Sequence, residues 1–130
     1  MPHDIIAPSD IAPPAANYAH AVLTTQASRG LHTPGVVPVA PDGTVPDGVA
    51  AQAELVWRNL LAMLRTAQMT LDSVVSVTTY VTAAVIGELG VVMAARDAAL
   101  QGRTVASTLV TVPALAQPAW SLEIALVAAD

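Results

Sequence analysis

Residues 74–95 read "VVSVTTYVTAAVIGELGVVMAA", and the fold turns on how this stretch is interpreted. Glu88 is its only charge, so by length and polarity it resembles a membrane span. Its first half, however, sets Ser76, Thr78 and Tyr80 at alternate positions, which is the period of a strand. Its second half holds Gly87 and Gly90, both unfavourable in a helix interior. The stretch is therefore expected to be a strand over 74–81 followed by a helix over roughly 86–100. Leu89, Val92, Met93 and Leu100 form the apolar stripe of that helix. No membrane partner is expected.

Downstream, 105–112 and 121–128 read as strands joined by "PALAQPAW". Upstream lies the clearest helix. Val49, Ala53, Val56, Leu60 and Leu64 fall at i, i+4, i+7, i+11 and i+15, behind Asp47 as the expected N-cap. Gln52, Glu54, Arg58, Asn59 and Arg65 lie elsewhere around it. Before the loop "APDGTVPDG" (40–48), "YAHAVLTT" (18–25) and "LHTPGVVPV" (31–39) are strand-like, on either side of the turn chemistry of "QASRG". Residues 1–16 are proline-rich and expected to run as an extended arm over the surface.

The order β-β-α-β-α-β-β implies one α+β domain over 1–130: a single mixed sheet with both helices packed on one face. The other sheet face then needs a cover. With 54% hydrophobic and only 12% charged residues, the chain has few polar groups to coat a monomer. Neighbouring copies in a closed homo-oligomer are the expected cover.

Charge and composition exclude several classes. The net charge is −5, with five arginines and no lysine, so phosphate-backbone binding has little support and no nucleic-acid partner is expected. Without cysteine there is no disulfide, thiolate nucleophile or thiolate metal site. The acidic start "MPHDIIAPSD" lacks the basic n-region of a leader, so a cytoplasmic location is expected.

Glu123 is the first candidate for chemistry, the only charge between Arg103 and Asp130. Strand alternation puts Leu122, Ile124 and Leu126 on one face and Ser121, Glu123, Ala125 and Val127 on the other. A mid-strand carboxylate of this kind faces solvent, pairs in an interface, or sits partly desolvated in a cleft. Desolvation of a carboxyl favours general acid/base work. Tyr18 either walls a pocket or packs at a sheet edge. His20 and His32 lie in consecutive strand-like segments without a third ligand at sensible spacing, so no metal site is expected. Ser107, Thr108 and Thr111 lack a G-x-S-x-G elbow, and Gly35 in "TPGVV" offers a backbone N–H to a ligand.

Together, "YAHAV", "PGVVPVAPDGTVPDGVAAQAE" (34–54), "LDSVVSVTTYVT" (71–82), "RTVASTLV" (103–110) and "LEIALVA" (122–128) resemble the RidA (YjgF) family of enamine/imine deaminases. The resemblance runs from about residue 12 onward, and the loop leading into the first helix is its most specific part. It implies a chorismate-mutase-like fold and a homotrimer with small-molecule pockets between subunits. It also implies hydrolysis of 2-aminoacrylate-type enamines and their imine tautomers to a 2-oxo acid and ammonia, without cofactor or metal. Carried over by position, the water-activating glutamate is Glu123 and the orienting tyrosine is Tyr18. Gly35, with Val36 beside it, Met93, Ala106, Ser107 and Thr108 are the substrate-binding positions.

The serious departure is Ala106, where the resemblance calls for an arginine that grips the substrate carboxylate: this chain reads "RTVAS". A charge-assisted hydrogen bond contributes about 1.5–3 kcal/mol and a bidentate pair more. At about 1.36 kcal/mol per tenfold, its loss weakens turnover of a small anion by roughly two to four orders of magnitude. Arg103 lies about 10 Å upstream with the opposite parity, leaving Arg96 of a neighbouring copy as a conceivable substitute. Met93, often Asn in the deaminases, makes the pocket oilier. The expected activity is thus hydrolysis of an imine or enamine less anionic than 2-aminoacrylate. The alternatives are a non-catalytic ligand-binding or regulatory member, and a pathway enzyme that reuses the scaffold for other chemistry.

Overall fold

In the computed structural model, which describes residues 3–130, the helix-facing residues of three long strands meet one stripe of each helix. The strands are β1 (His3–Ile6), β2 (Ala21–Thr24), β3 (Gly30–His32), β4 (Val74–Thr82), β5 (Ala106–Val112) and β6 (Leu122–Ala129). The helices are α1 (Val49–Thr66) and α2 (Leu89–Ala99). A four-stranded sheet runs in the order β3-β6-β4-β5, with β4 and β5 parallel and the other pairs antiparallel. The two helices alternate with β4 and β5 in sequence, as the α+β reading requires. Among the described residues no helix is long and apolar enough to cross a membrane.

Residues 74–95 divide as their pattern predicts. Val77, Thr79 and Val81 are buried, while Ser76, Thr78 and Tyr80 are half-buried on the opposite face. The following helix starts later than expected, because Ala83–Glu88 first form a 3-10 turn with a kink at Val85. Val92 and Leu100 from its stripe are buried, whereas Leu89 and Met93 are only partly covered.

The stripe of α1 is buried throughout, with Ala53, Val56 and Leu60 fully enclosed. Its N-cap is Gly48 at φ +89°, not Asp47; glycine adopts that backbone without a Cβ penalty, and no side chain caps the helix. Gln52, outside the apolar stripe, is also buried. Its Nε2 donates to the carbonyls of Pro46 (3.0 Å) and Ala119 (2.9 Å), and the Ser121 N–H donates to its Oε1 (2.8 Å). One amide thus ties two loops to the helix. Gln52→Ala is expected to cost about 2–3 kcal/mol, since it leaves three backbone groups unpaired. Urea unfolding would show this as a lower midpoint at unchanged slope.

Two further features depart from the sequence pattern. The strand expected over 31–39 ends at His32, because Pro34 has no N–H for the ladder. The Leu126 N–H donates instead to the Thr33 hydroxyl, and contact with β6 resumes at one bridge, Val36 to Ile124. Part of the N-terminal arm is itself a strand: β1 pairs antiparallel with β2. His3 anchors it, its Nε2 donating to the Ala129 carbonyl (2.8 Å) while the Thr24 hydroxyl donates to Nδ1 (2.9 Å).

Candidate active site

Strand alternation turns Glu123, Ala125 and Val127 of β6 away from the helices, opposite the buried Leu122, Ile124 and Leu126. The ladders place these residues beside partners on the same face. Glu123 pairs with Tyr80, Ala125 with Thr78, and Val127 with Ser76. Across β4, Tyr80 pairs with Val110, Thr78 with Thr108, and Ser76 with Ala106. His32 of β3 pairs with Val127, so this open face carries one carboxylate, a phenol, an exposed imidazole at its β3 edge, three small hydroxyls and several short apolar side chains.

Glu123 lies against Gly35. Val36 exchanges both backbone hydrogen bonds with Ile124 (2.8 and 3.1 Å), and its side chain joins the core. Gly35 is thereby held beside Glu123. A Cβ at residue 35 would stand 2.7 Å from the Glu123 carboxyl carbon and 2.9 Å from each oxygen. Only glycine leaves room for the carboxylate where it sits. The backbone of Gly35 also borders a groove of about 750 Å³, lined mainly by apolar groups that include Leu31, Val37 and Met63.

The second cluster forms at the other end of the sheet. Ala19 donates its N–H to the Val105 carbonyl (2.9 Å) and bridges alongside Ala106, bringing Tyr18 to the edge of β5. The Tyr18 hydroxyl accepts the Ala15 N–H at 3.2 Å, and its ring meets His20 edge-on at 5.9 Å. His20 Nε2 itself donates to the Ala12 carbonyl at 2.6 Å. Four residues along the strands and two strands across separate Ala106 from Glu123. At roughly 3.3 Å per residue and 4.8 Å per strand, that is about 16 Å. The expected site residues thus form two halves, Gly35 with Glu123 and Tyr18 with Ala106, and Thr108 lies between them.

The remaining positions sit elsewhere. Ser107 alternates onto the helix face, where its hydroxyl accepts from Arg96 Nη1 at 3.2 Å. Val36 is in the core, and Met93 is on α2 in the helix layer. Arg96 is buried, with Nε and Nη2 both donating to Asp97 Oδ1, so it is committed within its own chain. Arg103 pairs with Asp72 at 2.9 Å and donates to the Leu100 carbonyl. Neither guanidinium is free to take the place of the arginine missing at Ala106.

Reasoning from sequence did not single out Tyr80. The alternation of Ser76, Thr78 and Tyr80 marked its face, but only the β4–β6 register reveals that it stands opposite Glu123.

The family model described as endoribonuclease L-PSP matches residues 9–130. Among solved structures, YyfB of Yersinia pestis, described as a protein of unknown function in the conserved Rid family, is 30% identical. The match covers 99% of each chain at a TM-score of 0.89. The yeast protein YEO7 is 25% identical over 98% of each chain, with a TM-score of 0.71. TdcF of E. coli, solved with bound serine, is 21% identical over 98% of each chain at 0.71 and supports the fold. No curated protein matches the chain in sequence.

Proposed function

The chain belongs to the RidA (YjgF) family, and from that premise we propose that it is a homotrimeric hydrolase of reactive imines or enamines. The observation that carries this reading is the Glu123 carboxylate lying on Gly35, the one carboxylate among the paired residues of an open sheet face. A carboxylate so placed takes a proton from water as the oxygen attacks the C=N carbon. The π pair moves to nitrogen, which receives that proton. The carboxylate then takes the carbinolamine's hydroxyl proton and hands it to nitrogen. The oxygen pair forms the C=O as the C–N bond breaks, and ammonia leaves with the carbonyl product. Water, a base and a returned proton suffice, so the proposal includes neither metal nor cofactor.

The separation of the two half-sites supports an intersubunit pocket. At about 16 Å apart in one chain, Glu123 and Ala106 cannot touch the same small molecule. A neighbouring copy that lays its Tyr18 and Ala106 edge near Glu123 would complete the pocket and cover the open face. Ala106 makes that pocket a poor trap for carboxylates, so the proposed substrate is a neutral or more apolar imine. A cytoplasmic location is part of the same proposal.

Ala106 also favours a second reading, in which the pocket binds a ligand without turning it over. An RNA-cleaving role, suggested by the family model's description, finds less support. Arg29 is paired with Asp130, Arg103 with Asp72, and Arg96 is buried, which leaves little positive charge for phosphates.

Sedimentation combined with carbonyl release tests the proposal. The expected result is a stable trimer that accelerates hydrolysis of neutral imines more than of enamines generated in situ by a PLP-dependent dehydratase. A monomer removes the intersubunit pocket. A trimer that binds but never hydrolyses any imine establishes the binding reading instead.

A further inference from the structure

Tyr80 faces Glu123 directly across the β4–β6 ladder, on the sheet face turned away from the helices, and is half-buried. Such cross-strand neighbours carry their Cβ atoms about 4.5–5.5 Å apart. Glu123 leans the other way, its carboxylate over Gly35, which lies beyond β6 on the side of β3. Phenol and carboxylate thus belong to neighbouring positions of one sheet face, with the carboxylate turned toward Gly35. A phenol donor opposite the carboxylate on the same face is placed to act on the same small molecule.

We propose that Tyr80 is a second catalytic residue of this site, its hydroxyl donating to the imine nitrogen while Glu123 draws a proton from the attacking water. The inference rests on the hydrolytic reading above. As the C–O bond forms, the C=N π pair arrives on nitrogen, and a fixed donor there stabilises the charge that develops. The proton that Glu123 takes from water passes to that nitrogen to give the carbinolamine. The hydroxyl proton follows by the same carboxylate, C=O forms as the C–N bond breaks, and ammonia leaves. Tyr80 remains a phenol throughout. A neutral donor at this point suits a neutral substrate and works without the cationic grip that Ala106 lacks.

The test compares wild type, Tyr80→Phe and Glu123→Gln on a neutral N–H imine and on an N,N-dialkyl iminium cation, whose nitrogen has no lone pair to accept a hydrogen bond. Tyr80→Phe is expected to lower kcat for the imine about 10²-fold, with KM changed less than about threefold. The iminium ion is expected to be hydrolysed at the wild-type rate, which a merely structural role for Tyr80 would not allow. An equal deficit on both substrates overturns the role. If Tyr80→Phe matches wild type on the imine while Glu123→Gln is inactive, Tyr80 is excluded and the hydrolytic reading stands. Full activity in Glu123→Gln, or a wild type inert toward every imine, overturns both.

Discussion

Glu123→Gln is expected to lower kcat for imine hydrolysis by about 10²–10⁴-fold, the usual contribution of a positioned general acid/base. Glutamine keeps the size and polarity of the side chain but cannot accept and return a proton, so binding should change little. Gly35→Ala makes the same point without altering the carboxylate chemically. The added Cβ would meet the carboxyl carbon at 2.7 Å, so the carboxylate must swing away. A displacement on the order of 1 Å at a reacting group costs about 10²-fold. Because the clash falls on the far end of a flexible side chain, thermal stability should barely move. Steady-state kinetics alongside a melting curve checks both variants. A Gly35→Ala enzyme with wild-type kcat would mean that the carboxylate's position is irrelevant.

Ala106→Arg is expected to raise kcat/KM for 2-aminoacrylate by about 10²–10⁴-fold and to leave neutral imines unchanged or poorer. Ala106 is half-buried on the open face, paired with Ser76, and no other guanidinium is available there. A new arginine would add a charge-assisted, bidentate grip on the substrate carboxylate, and its transition-state contribution appears directly in the rate. Measuring 2-oxo acid release from enamines formed in situ compares variant and wild type. An arginine that folds correctly yet gains nothing would show that this edge of β5 does not border the pocket.

What could be read from sequence follows the range of each interaction. Alternation in β4, β5 and β6 and the α1 stripe are local patterns, since burial selects residues at intervals of two or of three to four. They located Glu123 and its face correctly. Features set by distant partners were not legible in this way. Gln52 reads as a surface amide until the loops ending at Pro46 and Ala119 close on it. The β1–β2 pairing depends on His3 reaching both Thr24 and Ala129, residues far apart in the chain. The resemblance assigns Gly35 and Glu123 to one kind of pocket, but their contact within a single chain comes from the Val36–Ile124 bridge. Ser107 and Thr108, adjacent in sequence and grouped together as pocket positions, face opposite sides of the sheet.

If each active site is assembled from two chains, mixing two inactive variants tests it most directly. Glu123→Gln disables one half-site, and Ala106→Trp would block the other without touching Glu123. Each alone is expected to be inactive while still folded and oligomeric. Co-expressed, they should recover activity, because random assembly around a closed ring leaves about a quarter of the pockets with both halves intact. Recovery near that level is the predicted result. Mixed oligomers as inactive as either parent would place both halves of each site in a single chain and contradict the account.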